Sequence, residues 1–524
     1  MENYEVMLND RKVKLPNLKC LLIYPQFVFQ SFWNYRKTCE LLGASYPAAP
    51  LGMATVAALL PKSWDFKFVD CNVDKLTEEE IEWADIIFSG GMISQQIEHV
   101  RLIEKIKAYY KVHVVGGPDP TSSPHFYDKA DHLVLGEAEI TLPEFLKDFF
   151  EGKARHIYSP GDKKADISVS PVPRFDLIKF DSYLHVGIQF SRGCPFNCEF
   201  CDIIELFGRV PRVKKPEQII AEIQRLYDLG YRGHIDIVDD NFISNRKAVK
   251  RLLQKMVDWQ NTHNWPFEFS IEASINLADD EELLNLMQDV GFSACFVGIE
   301  TPDEEALLGA QKKVNLNRSI PESIHKFYKH GMIVNAGYIV GFDKEKDSVA
   351  KTTLDCIEKT FIPANMVGLL FALPNTQLTR RLALEGRLNE NFDKVRENVG
   401  GQCVSGLNYE TLRPREDILN DFKQILSEAY KPERYFKRIR QLVPLLDCSR
   451  KHLNLPFNTN IKNLHGFLKL IIAMGFKAPY RKHFWRTLLS CSFRNRKALR
   501  YAVALMALYL HFGFFIEHVL ERID

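Results

Sequence analysis

Several absences narrow the reading of this chain before any motif is considered. Residues 1–17 are polar and charged and lack the apolar core of a secretory signal, so export is not expected. The 11 cysteines are odd in number and scattered, with no disulfide framework, which points to a reducing cytoplasmic setting. No Gly-x-Gly-x-x-Gly follows the first strand pattern, which removes the main argument for a nicotinamide site. The most apolar stretch, residues 502–516, is about 15 residues long, short of the about 20 a bilayer span requires, and it carries His511 and Gly513. Charge of one sign is also missing locally. Residues 448–516 contain no Asp or Glu, although the whole chain has 67, while the same window holds twelve Lys and Arg.

What remains is an ordinary globular composition, 46% hydrophobic and 26% charged, over 524 residues, enough for about three domains. Residues 1–152 alternate short apolar runs (20–24, 66–69, 86–89, 112–115 and 133–135) with helical patterns at 51–60, 97–109 and 141–150. This is the rhythm of a parallel, doubly wound sheet. Ligands in such folds bind beyond the carboxyl ends of the strands, where Gly90, Gly91, Gly116 and Gly117 would let one approach the backbone. Residues 153–185 read as a connector rich in loop signals, including Pro160-Gly161 and Pro171-Val172-Pro173. Strand–helix alternation resumes over 186–400, with strands expected at 186–190, 234–238, 267–272, 295–299, 333–340 and 367–373 and helices at 217–229, 247–261, 280–290, 322–330 and 348–359. Six such units can close as a partial barrel. The remainder, 401–524, reads as a mainly helical, basic domain.

The first strand of the second series runs into Cys194, Cys198 and Cys201, spaced C-x₃-C-x₂-C in a loop marked by Gly193 and Pro195. Clustered thiolates suit an iron–sulfur cluster or zinc, but structural zinc needs four ligands and no second Cys/His pair lies nearby. Three cysteines can hold three irons of a [4Fe–4S] cluster and leave the fourth iron open to a small chelating molecule. The following strand ends carry Asp239-Asp240-Asn241, Glu272, Glu300, Asp343 and Asn375. One such residue can be a helix cap; polar groups at five successive ends suit a cationic ligand in the barrel mouth, such as a sulfonium amino acid.

The cysteine motif, with aromatic Phe200 before its last cysteine, resembles the cluster loop of the radical S-adenosylmethionine (SAM) superfamily. With a Rossmann-like domain in front, the chain resembles the cobalamin-binding branch. Denser likeness, in Tyr46-Pro47-Ala48-Ala49-Pro50-Leu51-Gly52, Gly116-Gly117-Pro118-Asp119, Glu272-Ala273-Ser274-Ile275-Asn276 and Leu373-Pro374-Asn375-Thr376, is to hopanoid C-2 methylases. The resemblance implies that Cys194, Cys198 and Cys201 ligate the cluster. It implies that Asp239, Asp240 and Asn241 lie near the SAM amino group, Glu272 near the ribose and the Phe200 backbone near the adenine. It further implies a cobalamin-dependent methyltransferase: a 5′-deoxyadenosyl radical abstracts hydrogen from an unactivated carbon, which then takes a methyl group, with an external electron donor supplying the reductant. Other outcomes compatible with the motifs are radical cyclisation or rearrangement, and a non-catalytic iron–sulfur sensor. The cobalt-binding Asp-x-His-x-x-Gly motif is absent, and His113, His125 and His132 read as strand or surface histidines, so cobalamin is expected base-off.

The acid-free window leaves two alternatives. Interleaved Lys/Arg and apolar residues (Phe467, Leu470, Ile471, Phe476, Phe484, Trp485 and Leu488) fit a helix resting on an anionic membrane face. They also fit a basic helical domain packed on the barrel. The rest of the chain has no basic run or RNA-binding signature, so nucleic acid is not an expected partner.

Overall fold

The two series of apolar runs form two separate parallel sheets in the computed structural model. It describes residues 5–8 and 11–14 (backbone only), 17–27, 31–347, 349–395, 404 and 406–523. The expected boundary near 400, Cys403 and the expected helix start at Ser348 lie outside the described residues. The strands of the amino-terminal half are β1 (Glu5–Leu8), β2 (Arg11–Lys14), β3 (Lys19–Tyr24), β4 (Tyr46–Ala48), β5 (Asp65–Asp70), β6 (Ile86–Gly90), β7 (Val112–Gly116), β8 (His132–Val134) and β9 (Ile157–Tyr158). Those that follow are β10 (Tyr183–Ile188), β11 (Ser191–Arg192), β12 (Arg212–Val213), β13 (Gly233–Ile237), β14 (Phe267–Glu272), β15 (Phe292–Glu300), β16 (Ile333–Val340) and β17 (Asn365–Leu369).

The first sheet has the order β5-β3-β6-β7-β8-β9, parallel throughout. Cys20, Leu21, Leu22 and Ile23 of β3 are all fully buried, as expected where helices cover both faces of a parallel sheet. The second sheet has the order β4-β10-β13-β14-β15-β16-β17, also parallel. Its strands alternate. Phe267, Phe269 and Ile271 of β14 are buried under the helices, while Glu268, Ser270 and Glu272 are half-buried on the concave side. That period of two gives the half-barrel a polar lumen and an apolar exterior.

The seventh strand comes from the amino-terminal region. β4 pairs with β10, Tyr46 opposite Tyr183 and Ala48 opposite His185. Pro47 has no N–H to donate, which suits an edge position. The helix Arg36–Leu42 before it packs on the carboxyl-terminal helices, with Thr38 Oγ1 donating to Ala507 O at 3.1 Å and Phe32 edge-on to Phe515 at 4.7 Å. Residues 31–48 therefore belong with the half-barrel and tail, not with the first sheet as a division at 152 would have it.

The tail contains the helices Arg415–Ala429, Pro432–Leu442, Phe457–Leu470, Arg481–Arg494 and Leu499–Arg522, with a π-helical segment Ile471–Lys477. The stretch expected at 502–516 is part of a 24-residue helix. The span Arg496–Arg522 is long and apolar enough to cross a membrane by composition, but half of its most apolar window is buried within the fold. Tyr501, Ala502, Leu505, Met506, Tyr509, Phe512, Phe515 and Val519 make it a core helix. At the amino-terminal rim of the half-barrel Arg500 pairs with Glu268, Tyr501 hydroxyl donates to Glu268 at 3.3 Å, and Lys451 donates to Phe292 O. Part of the acid-free window's positive charge is thus matched by the barrel.

Candidate active site

The cysteine loop is fixed at its base by a two-residue ribbon. β11 pairs antiparallel with β12 and closes the loop between them. Gly193 starts the loop at φ 93°, and a Cβ there would lie 2.8 Å from Gly208 O; only glycine fits both constraints. Cys194 N donates to Gly208 O at 3.2 Å, Cys201 N to Cys198 O at 3.3 Å and Glu199 N to Ala310 O at 3.1 Å. From the far side, Asn197 bonds Gln311 (2.6 Å) and Gln377 (2.9 Å), and Arg381 grips Glu199 through two bonds of 2.9 and 3.1 Å.

Cys198 is buried, and Cys194 and Cys201 half-buried. Burial raises all three thiols, Cys198 to about 11. Among the described residues no group of three His, Cys, Asp or Glu converges on a single ion. Lys312 is the cation whose charge acts on all three thiols; it pairs with Glu300 at 2.7 Å. Glu300 sits at φ 63°, and a Cβ on Gly298 would lie 2.3 Å from Glu300 Oε1, so this pair depends on glycine beneath it.

The acidic strand end separates into different roles. Asp239 is fully buried and accepts from Phe190 N (2.7 Å), Ser191 N (2.8 Å) and Ser191 Oγ (2.6 Å). Its oxygens are committed to the start of the cysteine loop, which corrects the expectation that it faces an amino group. Asp240 is the free member. Its Oδ2 is buried without a hydrogen-bond partner, and burial followed by the charges of Asp239 and Asp202 raises it to about 7. Asn241 accepts from Ser274 N at 3.2 Å and points its amide toward Cys194 Sγ at 4.0 Å. Glu272 is half-buried in the lumen and raised to about 8 by burial and then by Asp236, Asp240 and Asp239. Phe200 has its ring 5.8 Å from Phe342, against the core. Asp240 and Asn241 thus lie against the start of the cysteine loop, and Glu272, on the next strand end, lies within electrostatic reach of Asp240.

In the first domain, Gly90 and Gly91 end β6 and Gly116 and Gly117 end β7. A Cβ on Gly117 would lie 2.7 Å from Gly91 O, and one on Gly116 would lie 2.7 Å from Val134 O. Neighbouring strand-end loops press together here, a reason for glycine beyond ligand approach. His113 is a buried strand histidine; His113 and His99 both share Ser89 Oγ, at 2.7 and 2.8 Å. His125 pairs with Asp393 at 3.2 Å and His132 bonds Arg155 O at 2.6 Å. The Nδ1 atoms of His99 and His113 are buried without a partner, and that of His99 lies 3.1 Å from where a Cβ on Gly91 would be.

One feature escaped sequence reading. Arg192, directly before the cysteine motif, reaches Glu137 (2.9 Å) and Glu139 (2.9 Å) beyond the end of β8, and Arg212 on the partner ribbon strand joins Glu137 at 2.8 Å. Glu137 also accepts from Ala165 N at 2.8 Å. Glu137 and Glu139 are almost wholly buried. This network ties the crevice of the first sheet to the cysteine loop. The signal was an arginine beside the motif and a Gly-Glu strand end, but their separation of 55 residues conceals the pairing.

The lumen below this ring is lined by His185, His234, Asp236, Ser270 and Asn335, with Ser270 Oγ 2.7 Å from His234 Nε2 and donating to Asp236. Its other side is apolar: the exposed Trp33 lies 5.5 Å from Phe296 of β15.

A thiol-bearing loop at the carboxyl end of a parallel half-barrel, beside a doubly wound domain, defines a class of enzyme that couples cluster chemistry to a second large cofactor. Comparison with known proteins agrees. Residues 188–357 match the radical SAM superfamily and residues 376–524 match a domain of unknown function (DUF4070). An uncharacterized methyltransferase of Synechocystis sp. is 40% identical over 97% of this chain and 93% of its own length. The hopanoid C-2 methylase of Rhodopseudomonas palustris is 33% identical over 89% of this chain and 88% of its own. The chain belongs to the radical SAM superfamily, among its C-methyltransferases. Its fold is that of the cobalamin-dependent radical enzymes. OxsB with aqua-cobalamin bound superimposes with a TM-score of 0.60 at 15% identity, covering 96% of this chain and 80% of that one. TsrM from Kitasatospora setae, with cobalamin and a [4Fe-4S] cluster bound, gives 0.59 at 15% identity, covering 92% and 100%.

Proposed function

We propose that this enzyme transfers a methyl group to an unactivated carbon of a hopanoid-like polycyclic lipid, using a [4Fe–4S] cluster, SAM and cobalamin and an external electron donor. The observation that carries this reading is the 33% identity to the hopanoid C-2 methylase, which extends over nearly the whole of both chains. When bound, the cluster and SAM supply hydrogen-abstracting radical chemistry and cobalamin supplies a transferable methyl group.

The chain's own residues position and shield these groups. Cys194, Cys198 and Cys201 would hold the cluster, and their fit rests on three free thiols carried by one clamped loop. Asp240, with an unpartnered buried oxygen, fits an ammonium donor, and Asn241 lies between it and Cys194. Glu272, held largely neutral near pH 7, can donate to or accept from ribose hydroxyls, and the Phe200 backbone would border the adenine. The crevice around Gly90, Gly91, Gly116 and Gly117 would take cobalamin; His99 and His113 meet Ser89 through Nε2, and the buried Nδ1 of His99 has no partner and lies beside Gly91. Glu137, Glu139, Arg192 and Arg212 hold that crevice against the cysteine loop. Trp33 and Phe296 offer an apolar wall for a polycyclic substrate.

The test is anaerobic incubation of the reconstituted enzyme with reductant, methyl-labelled SAM and a hopanoid lipid. Label in the lipid together with 5′-deoxyadenosine is expected, both lost in Cys198→Ala. Nucleoside release with no labelled lipid would refute methylation of this substrate class, and release of neither product would favour a sensing protein.

A further inference from the structure

The helix Phe457–Leu470 and the π-helical segment Ile471–Lys477 carry an apolar stripe that is largely exposed, Phe476 alone meeting a ring, that of Trp485, edge-on at 6.0 Å among the described residues. Phe457, Ile461, Leu464, Leu468, Ile472 and Phe476 follow one another at intervals of four or three residues, which aligns them on one side of a helical rod. Their exposures run from 49% for Ile461 to 78% for Phe457, far from those of a core. The opposite side is packed: Gly466, Leu470 and Met474 are buried, and a Cβ on Gly466 would lie 2.9 Å from Leu42 of the helix Arg36–Leu42. The apolar residues that sequence reading assigned to a membrane face mostly point inward; Leu470, Phe484 and Leu488 are buried, and only Phe476 of that group is strongly exposed. The exposed stripe is made by a different set.

Charge identifies what this stripe fits. Lys469, Lys477, Arg481 and Lys482 flank it, are exposed and form no ion pair among the described residues. Lys462 pairs with the exposed Asp181 at 2.7 Å, a contact that water screens and that lipid phosphates can replace. No Asp or Glu occurs between residues 448 and 516 to oppose an anionic surface. An apolar stripe with unpaired cations beside it is the chemistry of a helix seated at the headgroup boundary of an anionic bilayer. A second copy of this chain would bring the same cations against themselves. The stripe also connects with the site: the helix Arg36–Leu42, on which it rests, is preceded by Trp33, which borders the lumen at Phe296.

We infer that residues 457–482 form a peripheral docking face for an anionic membrane, placing the Trp33–Phe296 side of the half-barrel near the lipid from which an apolar substrate would come. The face stands on exposure and charge, and its lipid binding does not depend on the substrate proposed above. The test is co-sedimentation of the cluster-reconstituted full chain with phosphatidylcholine vesicles, with and without phosphatidylglycerol. Binding to the anionic vesicles, weakened by salt, is expected. Leu464→Glu with Leu468→Glu should lower it about tenfold or more, and Lys469→Glu with Lys477→Glu should lower it while leaving apolar exposure unchanged. All four positions are solvent-exposed, so cluster absorbance and 5′-deoxyadenosine release from SAM should match the unsubstituted protein. Equal, weak sedimentation with both vesicle types would overturn the inference. So would concentration-dependent self-association in ultracentrifugation that the leucine substitutions abolish.

Discussion

Two neighbouring aspartates show how one carboxylate can be spent on structure while the next remains available. Asp239 uses its oxygens to hold the turn into the cysteine loop; Asp240 keeps one buried and unmatched. A buried carboxylate without a partner is costly and seldom retained without a ligand to satisfy it. His99 and His113, which share Ser89 Oγ through Nε2, show burial acting on a base. Burial lowers both to about 3, so the folded chain refuses protons that the unfolded chain accepts below its ordinary 6.5. Their contribution to stability is complete above 6.5 and is lost as the pH falls toward 3. Between pH 6.5 and about 5.5 the loss is about 1 kcal/mol per histidine. Asp240 and Glu272, raised to about 7 and about 8, move stability in the opposite sense over the same interval. The check is therefore nuclear magnetic resonance of the two imidazoles in the anaerobically purified protein. Both rings should remain neutral at about pH 5.5, and protonated rings there would count against neutral buried imidazoles.

At the scale of elements, the ribbon β11/β12 does two jobs: it closes the cysteine loop and carries Arg192 and Arg212 to Glu137 and Glu139. Arg192→Met should leave two buried carboxylates with one cation fewer, a loss of about 3–5 kcal/mol. On the cofactor placement proposed above, Arg192 joins the two cofactor regions, and methyl transfer should fall more than radical generation. The measurement is the ratio of labelled lipid to 5′-deoxyadenosine, expected to drop about tenfold or more; an equal fall in both would assign Arg192 to stability alone. These elements also show what the sequence makes legible. β14 was readable to the residue because Phe, Phe and Ile alternate with Glu, Ser and Glu. The cysteine loop was readable because its spacing is local. Tyr46-Pro47-Ala48 was not readable as a sheet edge, because three residues carry no period. Nor was the Glu137–Arg192 link, because hydrogen-bond partners far apart in sequence leave no pattern.

For the whole molecule, the tail is part of the half-barrel's closure. Burial pushes Glu268 up, but its bond to His234 and the charge of Arg500 hold it at about 2. Beyond Asp447, Leu505 O accepts from the buried Tyr435 hydroxyl at 2.7 Å and the Tyr509 hydroxyl donates to Tyr430 O at 2.8 Å. A chain ended after Asp447 should therefore lose its fold. The expected result is insoluble protein; a soluble product with a cooperative melt would show that the barrel closes without its tail. The same interleaving governs how the chain is made. β4 must wait for β10, about 140 residues further on, and Thr38 reaches its partner 469 positions later. At translation speeds of about 5–20 residues per second, the helix Arg36–Leu42 leaves the ribosome roughly 20–90 s before Ala507 exists. Through that interval Phe32, Thr38 and Cys39, all buried in the finished enzyme, stand as nascent surface, so residues 31–48 stay uncovered long after β3 has found its partners in the first sheet.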